Sequence, residues 1–248
     1  MITTITHQGK KYNVDLSQPI DISLPLSNTP ENITAWYVSK PEFTPVMENG
    51  FVGDVNLGGA VNFRNIFFNP HGHGTHTECV GHISKEPYTI NQCLKHFFFL
   101  ADVISIVPEK IENDSVITLK QITQLWQPTD TEAIIFRTLP NDEAKKTMQY
   151  SNTNPTYIEE DAVLFLTKNG INHLLIDSPS IDKEEDGGAL KAHHAFWEYP
   201  QNTQAHRTIS ELIFVADSIL DGKYLLNIQI ASFESDASPS KPVLYALI

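Results

Sequence analysis

Cysteine is nearly missing from this 248-residue chain, which has only Cys79 and Cys93. Two thiols make no disulfide framework, so the fold must be held by its core, and a reducing cytoplasm is the expected compartment. Basic residues are also scarce: 17 Lys and Arg stand against 30 Asp and Glu, for a net charge of −13. Such a surface repels phosphate, which argues against nucleic acid and against an anionic membrane as partners. No apolar run nears the roughly 20 residues of a membrane span. The best candidate, "HFFFLADVISIV", is too short and is interrupted by Asp102. The opening "MITTITHQGKKYNVDLS" has no basic segment followed by an apolar one, so no secretory signal is expected. What is present is ordinary for a globular protein, with 41% hydrophobic residues and no composition shift that would mark a linker. A single domain over residues 1–248 is expected.

The pattern of elements is mixed. Alternation around "HQGK" predicts an N-terminal hairpin, and "PIDISLPL" a short strand ending at Pro25. Residues 28–60 are rich in Asn, Pro and Gly and read as long loops. Strands are expected at 60–68, 97–107 and 133–139 from their β-branched and aromatic content. Helical spacing marks 118–126. In "TYIEEDAVLFLTKNGINHLLID", Ile158, Ala162, Phe165 and Leu166 share a helical face. Thr156 and Glu159 are placed as its capping box, Gly170 marks its end, and a strand follows. "ALKAHHAFW" reads as a short helix, and 208–233 and 241–248 as strands. The fold class is α/β.

Against this background "NPHGHGTHTECVGHIS" stands out. Ten histidines spread over 248 residues would put about half of one in a twelve-residue window, yet His71, His73, His76 and His82 share one. Imidazole is the commonest metal ligand near neutral pH, and with a carboxylate it suits zinc, manganese or iron. His76 and Glu78 are two apart, so an extended segment points both the same way. His82 keeps that parity, Cys79 alternates away, and Gly72 and Gly74 permit a bulge or a close backbone approach. Three ligands from one segment leave a metal open to solvent, which is what catalysis needs.

"HGTHTECVGH" resembles the signature of the metal-dependent cyclase family, which includes kynurenine formamidases and isatin hydrolases: His-x-Gly-Thr-His-x-Asp-x-x-x-His. Gly74, Thr75, His76 and His82 match it. "VDLSQPI", "IIFRTL", "LLIDSPSID", "KAHHAFW" and "TISELIFV" are similar to further family segments in the same order, so the likeness spans almost the whole chain. The resemblance implies an α/β cyclase-family fold with a layered or barrel-like β-sheet core and flanking helices. It implies His76 and Glu78 as metal ligands, with Glu78 standing where the family has Asp. His82 becomes the catalytic acid/base, Glu211 the distal glutamate, and His193 the distal histidine, with His194 as the alternative. The family's first histidine falls on Gly72, leaving His71, the favoured choice, or His73 to supply that ligand. A divalent ion is implied, zinc or manganese, at one or two positions. Oligomeric assembly, as a homo-oligomer, is common in such families.

The activity expected is hydrolysis of a C–N bond in a small amide, formamide or lactam. Trp36, Tyr37 and Trp197 are candidates to line an aromatic substrate pocket. The alternatives are ring closure or dehydration of a polyketide-like substrate at the same site, and a metal- or ligand-binding relative without catalysis. The Gly72 and Glu78 departures keep the last of these in view.

Overall fold

The computed structural model describes all residues, Met1–Ile248. Its centre is a ring of seven strands: β1 (His76–Glu78), β2 (Phe98–Ile106), β3 (Ala133–Thr138), β4 (His173–Ile176), β5 (Thr208–Glu211), β6 (Gly222–Ile230) and β7 (Ala237–Ala246). The order around the ring is β6-β2-β3-β4-β5-β1-β7, and β6 pairs with β7 to close it. The strands β2 to β5 run parallel, while β1, β6 and β7 join antiparallel. Closure removes the exposed edges that an open sheet would have to protect. The barrel-like core and the α/β class agree with the expectation.

Period-two alternation divides the core into two layers. Phe99, Ala101, Val103, Ala133, Ile135, Leu175, Leu226 and Ile228 point into the barrel. Ile104, Ile106, Ile134, Phe136, Leu174, Ile176 and Ile209 point outward and are covered by helices. Those helices are α2 (Leu119–Leu125), α3 (Glu160–Lys168) and α4 (Lys191–Trp197), while the one-turn α1 (Ile90–Cys93) lies against the barrel-interior cluster. No helix is long and apolar enough to cross a membrane.

The N-terminal hairpin pairs Ile2–His7 with Lys10–Asp15, turning at Gln8 and Gly9, which both have positive φ. Gly170, with φ 90°, follows the end of α3 as expected. The cap of α3 differs from the capping-box expectation. Its N-cap is Glu159, without a side-chain bond, and Ile158 lies in a short strand, Tyr157–Ile158. The Glu159 carboxylate instead accepts the Leu119 N–H at 2.8 Å and so serves the start of α2. Residues 28–60 are not all loop. Met47–Glu48 pairs with Phe51–Val52 across an Asn49-Gly50 turn with both φ positive, a hairpin signal the loop expectation passed over, and Glu42–Pro45 pairs with the distant Arg64–Phe67.

The outer layer is tight around Phe136, which has no exposed surface. Phe136→Ala should lower unfolding stability by about 3–5 kcal/mol, through lost burial and an unfilled cavity. Urea unfolding at an unchanged slope measures this, and a loss below about 1 kcal/mol would contradict the packing described.

Candidate metal centre and substrate cavity

The site forms on the outer wall of the barrel, where β1 lies between β5 and β7. Register places Glu211 directly across from His76, and Ile209 across from Glu78. Ile209 belongs to the helix-covered layer, so His76, Glu78 and Glu211 face outward beneath α4. Thr77 points the other way and meets the Ser210 hydroxyl at 2.7 Å. Helix α4 contributes His193 from above. Its N-terminus receives no cap from Leu190, which has φ 43°. Asp182 does that work, accepting the Ala192 and His193 N–H groups at 2.9 and 3.0 Å.

Three imidazoles are oriented in the same manner. The His76 Nδ1–H donates to the Gly74 carbonyl at 3.1 Å. The His193 Nδ1–H donates to Asp182 Oδ2 at 2.6 Å, and the His71 Nε2–H to Asp236 Oδ2 at 2.8 Å. Carbonyl and carboxylate oxygens only accept, so in the neutral, metal-binding form of each ring the contact fixes which nitrogen carries the proton. The opposite nitrogens converge. His71 Nδ1 lies 3.1 Å from Glu78 Oε2, His193 Nε2 3.1 Å from Glu78 Oε1, and His76 Nε2 3.4 Å from Glu211 Oε2. The ligand atoms of His71, His76 and Glu78 all lie within 4.8 Å of one another, as do those of Glu78, His82 and His193. Glu211 is anchored by its other oxygen, which accepts the Ile181 N–H at 3.0 Å.

Two buried atoms here, His76 Nε2 and Glu78 Oε2, have no hydrogen-bond partner. An unpartnered buried acceptor costs about 1–3 kcal/mol unless something else satisfies it. A divalent cation does so, and the donor set of imidazole nitrogens and carboxylate oxygens is the kind that zinc and manganese take. The residues present therefore fit a metal.

The electrostatics follow from crowding. Burial alone would push Glu78 up, but the imidazoles of His82, His193 and His71 outweigh it and hold the carboxylate well below its ordinary range. Burial works against charge on His71, yet the hydrogen bond to Asp236 and the nearby Glu78 carboxylate push it up to about 10. His193 reaches about 10 in the same way, burial being outweighed by Asp182 and Glu78. Asp236 lies well below the carboxylate range because His71 and His82 donate to it.

The remaining site expectations sort out by position. His82 reaches the cluster from a one-turn 3-10 helix, Val80–His82, with Nδ1 3.3 Å from Asp236 Oδ2 and a side chain 31% exposed. His73, the alternative to the favoured His71 as first ligand, does not reach the cluster. Its Nδ1 accepts the Asn69 N–H at 2.8 Å and its Nε2–H donates to the Ser39 carbonyl at 2.6 Å, so both nitrogens are used. Burial also pushes its pKa down. The extra residue before His76 is absorbed by a turn, not a bulge: Asn69 Oδ1 accepts the His71 and Gly72 N–H groups at 2.9 and 3.1 Å. Gly72 has no room for a side chain, since a Cβ would lie 2.7 Å from Val38 Cγ2. His194 turns away, its Nδ1 on the Tyr199 carbonyl.

A cavity of about 720 Å³ opens over the cluster, lined by His71, His82, His193 and Glu211 of the cluster and by Trp36 and residues 183–188. Trp36 belongs to it. Tyr37 does not: its ring is exposed and its hydroxyl donates to Glu184 at 3.0 Å. Trp197 does not either, being wholly buried with its indole N–H on the Arg207 carbonyl at 2.9 Å; it backs His193 instead. The pocket expectation for both residues is corrected accordingly. Sequence reasoning passed over Asp236, Asp182 and Asn69. Asp182 ends the "DSPSID" segment and could have been taken with it, whereas nothing local marks Asp236.

The Cyclase family model matches residues 14–183. A kynurenine formamidase of Bacillus cytotoxicus is 28% identical over 240 residues, covering 93% of this chain and 99% of that protein. A second, from Bacillus mycoides, is 26% identical over 231 residues, covering 92% and 97%. Among solved structures, isatin hydrolase A from Ralstonia solanacearum superposes with a TM-score of 0.69 at 15% identity, covering 92% of each chain. An isatin hydrolase bound to the product analogue thioisatinate gives 0.66 at 14%, covering 93% of each. A structure described as a potential metal-dependent hydrolase with cyclase activity gives 0.67 at 18%, covering 92% and 97%. At these identities the structural likeness is one of fold.

The raised pKa values of His71 and His193 have a consequence for the metal-free protein. A group raised in the folded state adds stability that is complete below its unfolded value, 6.5, and is lost as pH rises toward about 10. The chelated protein should therefore melt at progressively lower temperature between pH 7 and 10, and metal-loaded protein should resist that fall. Scanning calorimetry across this range decides it, and a chelated protein that gains stability with pH would contradict the assignment.

Proposed function

The chain belongs to the cyclase family, and from that premise we propose that it is a metal-dependent hydrolase cleaving a C–N bond of a small amide, formamide or lactam. The observation that carries this reading is the pair of unpartnered buried atoms, His76 Nε2 and Glu78 Oε2, packed against the His71, His193 and Glu211 side chains that line a cavity. His71, His76 and Glu78 would hold the ion, zinc or manganese, and His193 and Glu211 would complete its shell or hold a second. When bound, the ion supplies Lewis acidity, polarising a carbonyl and making water a nucleophile near neutral pH.

The chain's own residues account for the rest. Asp182, Asp236 and the Gly74 carbonyl keep the ligand nitrogens aimed inward, so no reorganisation is needed when substrate arrives. His82 is the one imidazole of the group with substantial exposure toward the cavity. With Nδ1–H on Asp236, its Nε2 is the basic end. It would take a proton from the attacking water and return one to the leaving nitrogen. Trp36 offers a flat apolar wall suited to an aryl group beside the scissile bond. The kynurenine formamidases and isatin hydrolases that the chain resembles bear names that fit an aryl formamide or a fused lactam.

Formanilide and isatin are the probes to use first. The metal-loaded protein should hydrolyse one of them, and chelation should abolish turnover that added zinc or manganese restores. His82→Ala should lower kcat by about 10²–10⁴-fold, the range for losing a general acid/base, while metal content stays unchanged. Turnover by neither compound, nor by other activated aryl amides, would remove the hydrolase reading.

A further inference from the structure

Two adjacent residues at the rim of the cavity, Trp36 and Tyr37, hold left-handed backbone, with φ 59° and 58°. Side chains larger than glycine's are strained there, so such a pair persists only where its surroundings over-determine it. The restraints are visible. The Tyr37 N–H donates to Ser151 Oγ at 2.9 Å, and its hydroxyl donates to Glu184 Oε1 at 3.0 Å. Glu184 is itself a hub, accepting the Asn152 and Asn154 N–H groups at 2.6 and 2.9 Å. One carboxylate thus ties together segment 36–37, turn 150–154 and loop 183–188. Trp36 and Glu184 both line the cavity, so the bond joins two segments of its wall. Tyr37 is 59% exposed, and its burial contributes little. The hydroxyl is what this side chain adds.

We propose that Tyr37 is a positioning residue: its hydrogen bond to Glu184 latches segment 36–37 to loop 183–188 and sets the Trp36 ring as the wall against which a planar substrate lies. The inference rests on the proposed reading of this cavity as the substrate site. Without the latch the Tyr37 N–H bond to Ser151 remains but the strained pair loses its tie to loop 183–188, and Trp36 leaves its left-handed conformation in part of the population. Only a fraction of molecules then present the wall, and apparent affinity falls by that fraction. Chemistry at the metal cluster is untouched, because neither Tyr37 nor Glu184 contacts it.

Tyr37→Phe tests this, since it deletes one oxygen from an exposed ring. Trp126 and Trp197 are buried, so the quenchable tryptophan emission reports on half-buried Trp36. The variant should show about twofold stronger quenching by acrylamide. Its affinity for formanilide, read from the emission, should fall about 3- to 10-fold, with KM rising by the same factor and kcat and Tm holding. Glu184→Gln should move the same quantities in the same direction. Quenching and affinity equal to wild type in Tyr37→Phe would overturn the latch, as would a fall in kcat at constant KM. The emission arm needs no turnover. An affinity loss in a protein that hydrolyses nothing would sink the hydrolase reading alone. Turnover with unchanged quenching and affinity would sink the latch alone.

Discussion

Each of three imidazoles in this protein is gripped at one nitrogen by an oxygen that can only accept, and everything else in the site depends on that grip. It settles the tautomer of His71, His76 and His193 and aims three nitrogens at Glu78 and Glu211. The gripping oxygens come from three different parts of the chain: the Gly74 carbonyl just before β1, Asp182 after β4, and Asp236 just before β7. Barrel closure is what brings them to one place, since β1 pairs with both β5 and β7. A one-residue slip in either pairing would turn His76 and Glu78 into the barrel and Thr77 outward.

Such a site strains the fold that carries it. Glu78, Glu211 and His76 are almost wholly buried, and nothing apolar there repays the cost of taking them from water. Without a cation, protons on His71 and His193 offset the carboxylates. A metal and those protons therefore compete for the same nitrogens. The packed outer layer beneath α3 and α4 supplies the stability that makes this arrangement tolerable.

Much of this was legible in the sequence, for reasons that differ by element. The barrel strands announced themselves because a strand buried on both faces is a run of β-branched and aromatic residues, as in 98–106 and 133–138. The histidine cluster was legible because four imidazoles and Glu78 sit in one short segment whose parity decides which side chains face together. Asp236 was not, because its contact with His82 spans 154 residues and only barrel closure creates it. The choice between His71 and His73 turned on the Asn69 turn, whose backbone bonds carry no spacing rule. Glu159 had the right offset for a capping box, but a neighbouring helix start claimed its carboxylate. Trp36 and Trp197 look equivalent as letters; burial separates them, with one on the cavity and one in the core.

The central claim is that these oriented nitrogens hold a divalent ion. Elemental analysis of the purified protein, beside His76→Ala and His73→Asn variants, tests it most directly. The account predicts about one or two ions of zinc or manganese per chain. They should be lost in His76→Ala and retained in folded His73→Asn. Protein that carries no metal and takes up none on reconstitution would contradict it, and so would a His76→Ala variant that binds metal as well as the parent.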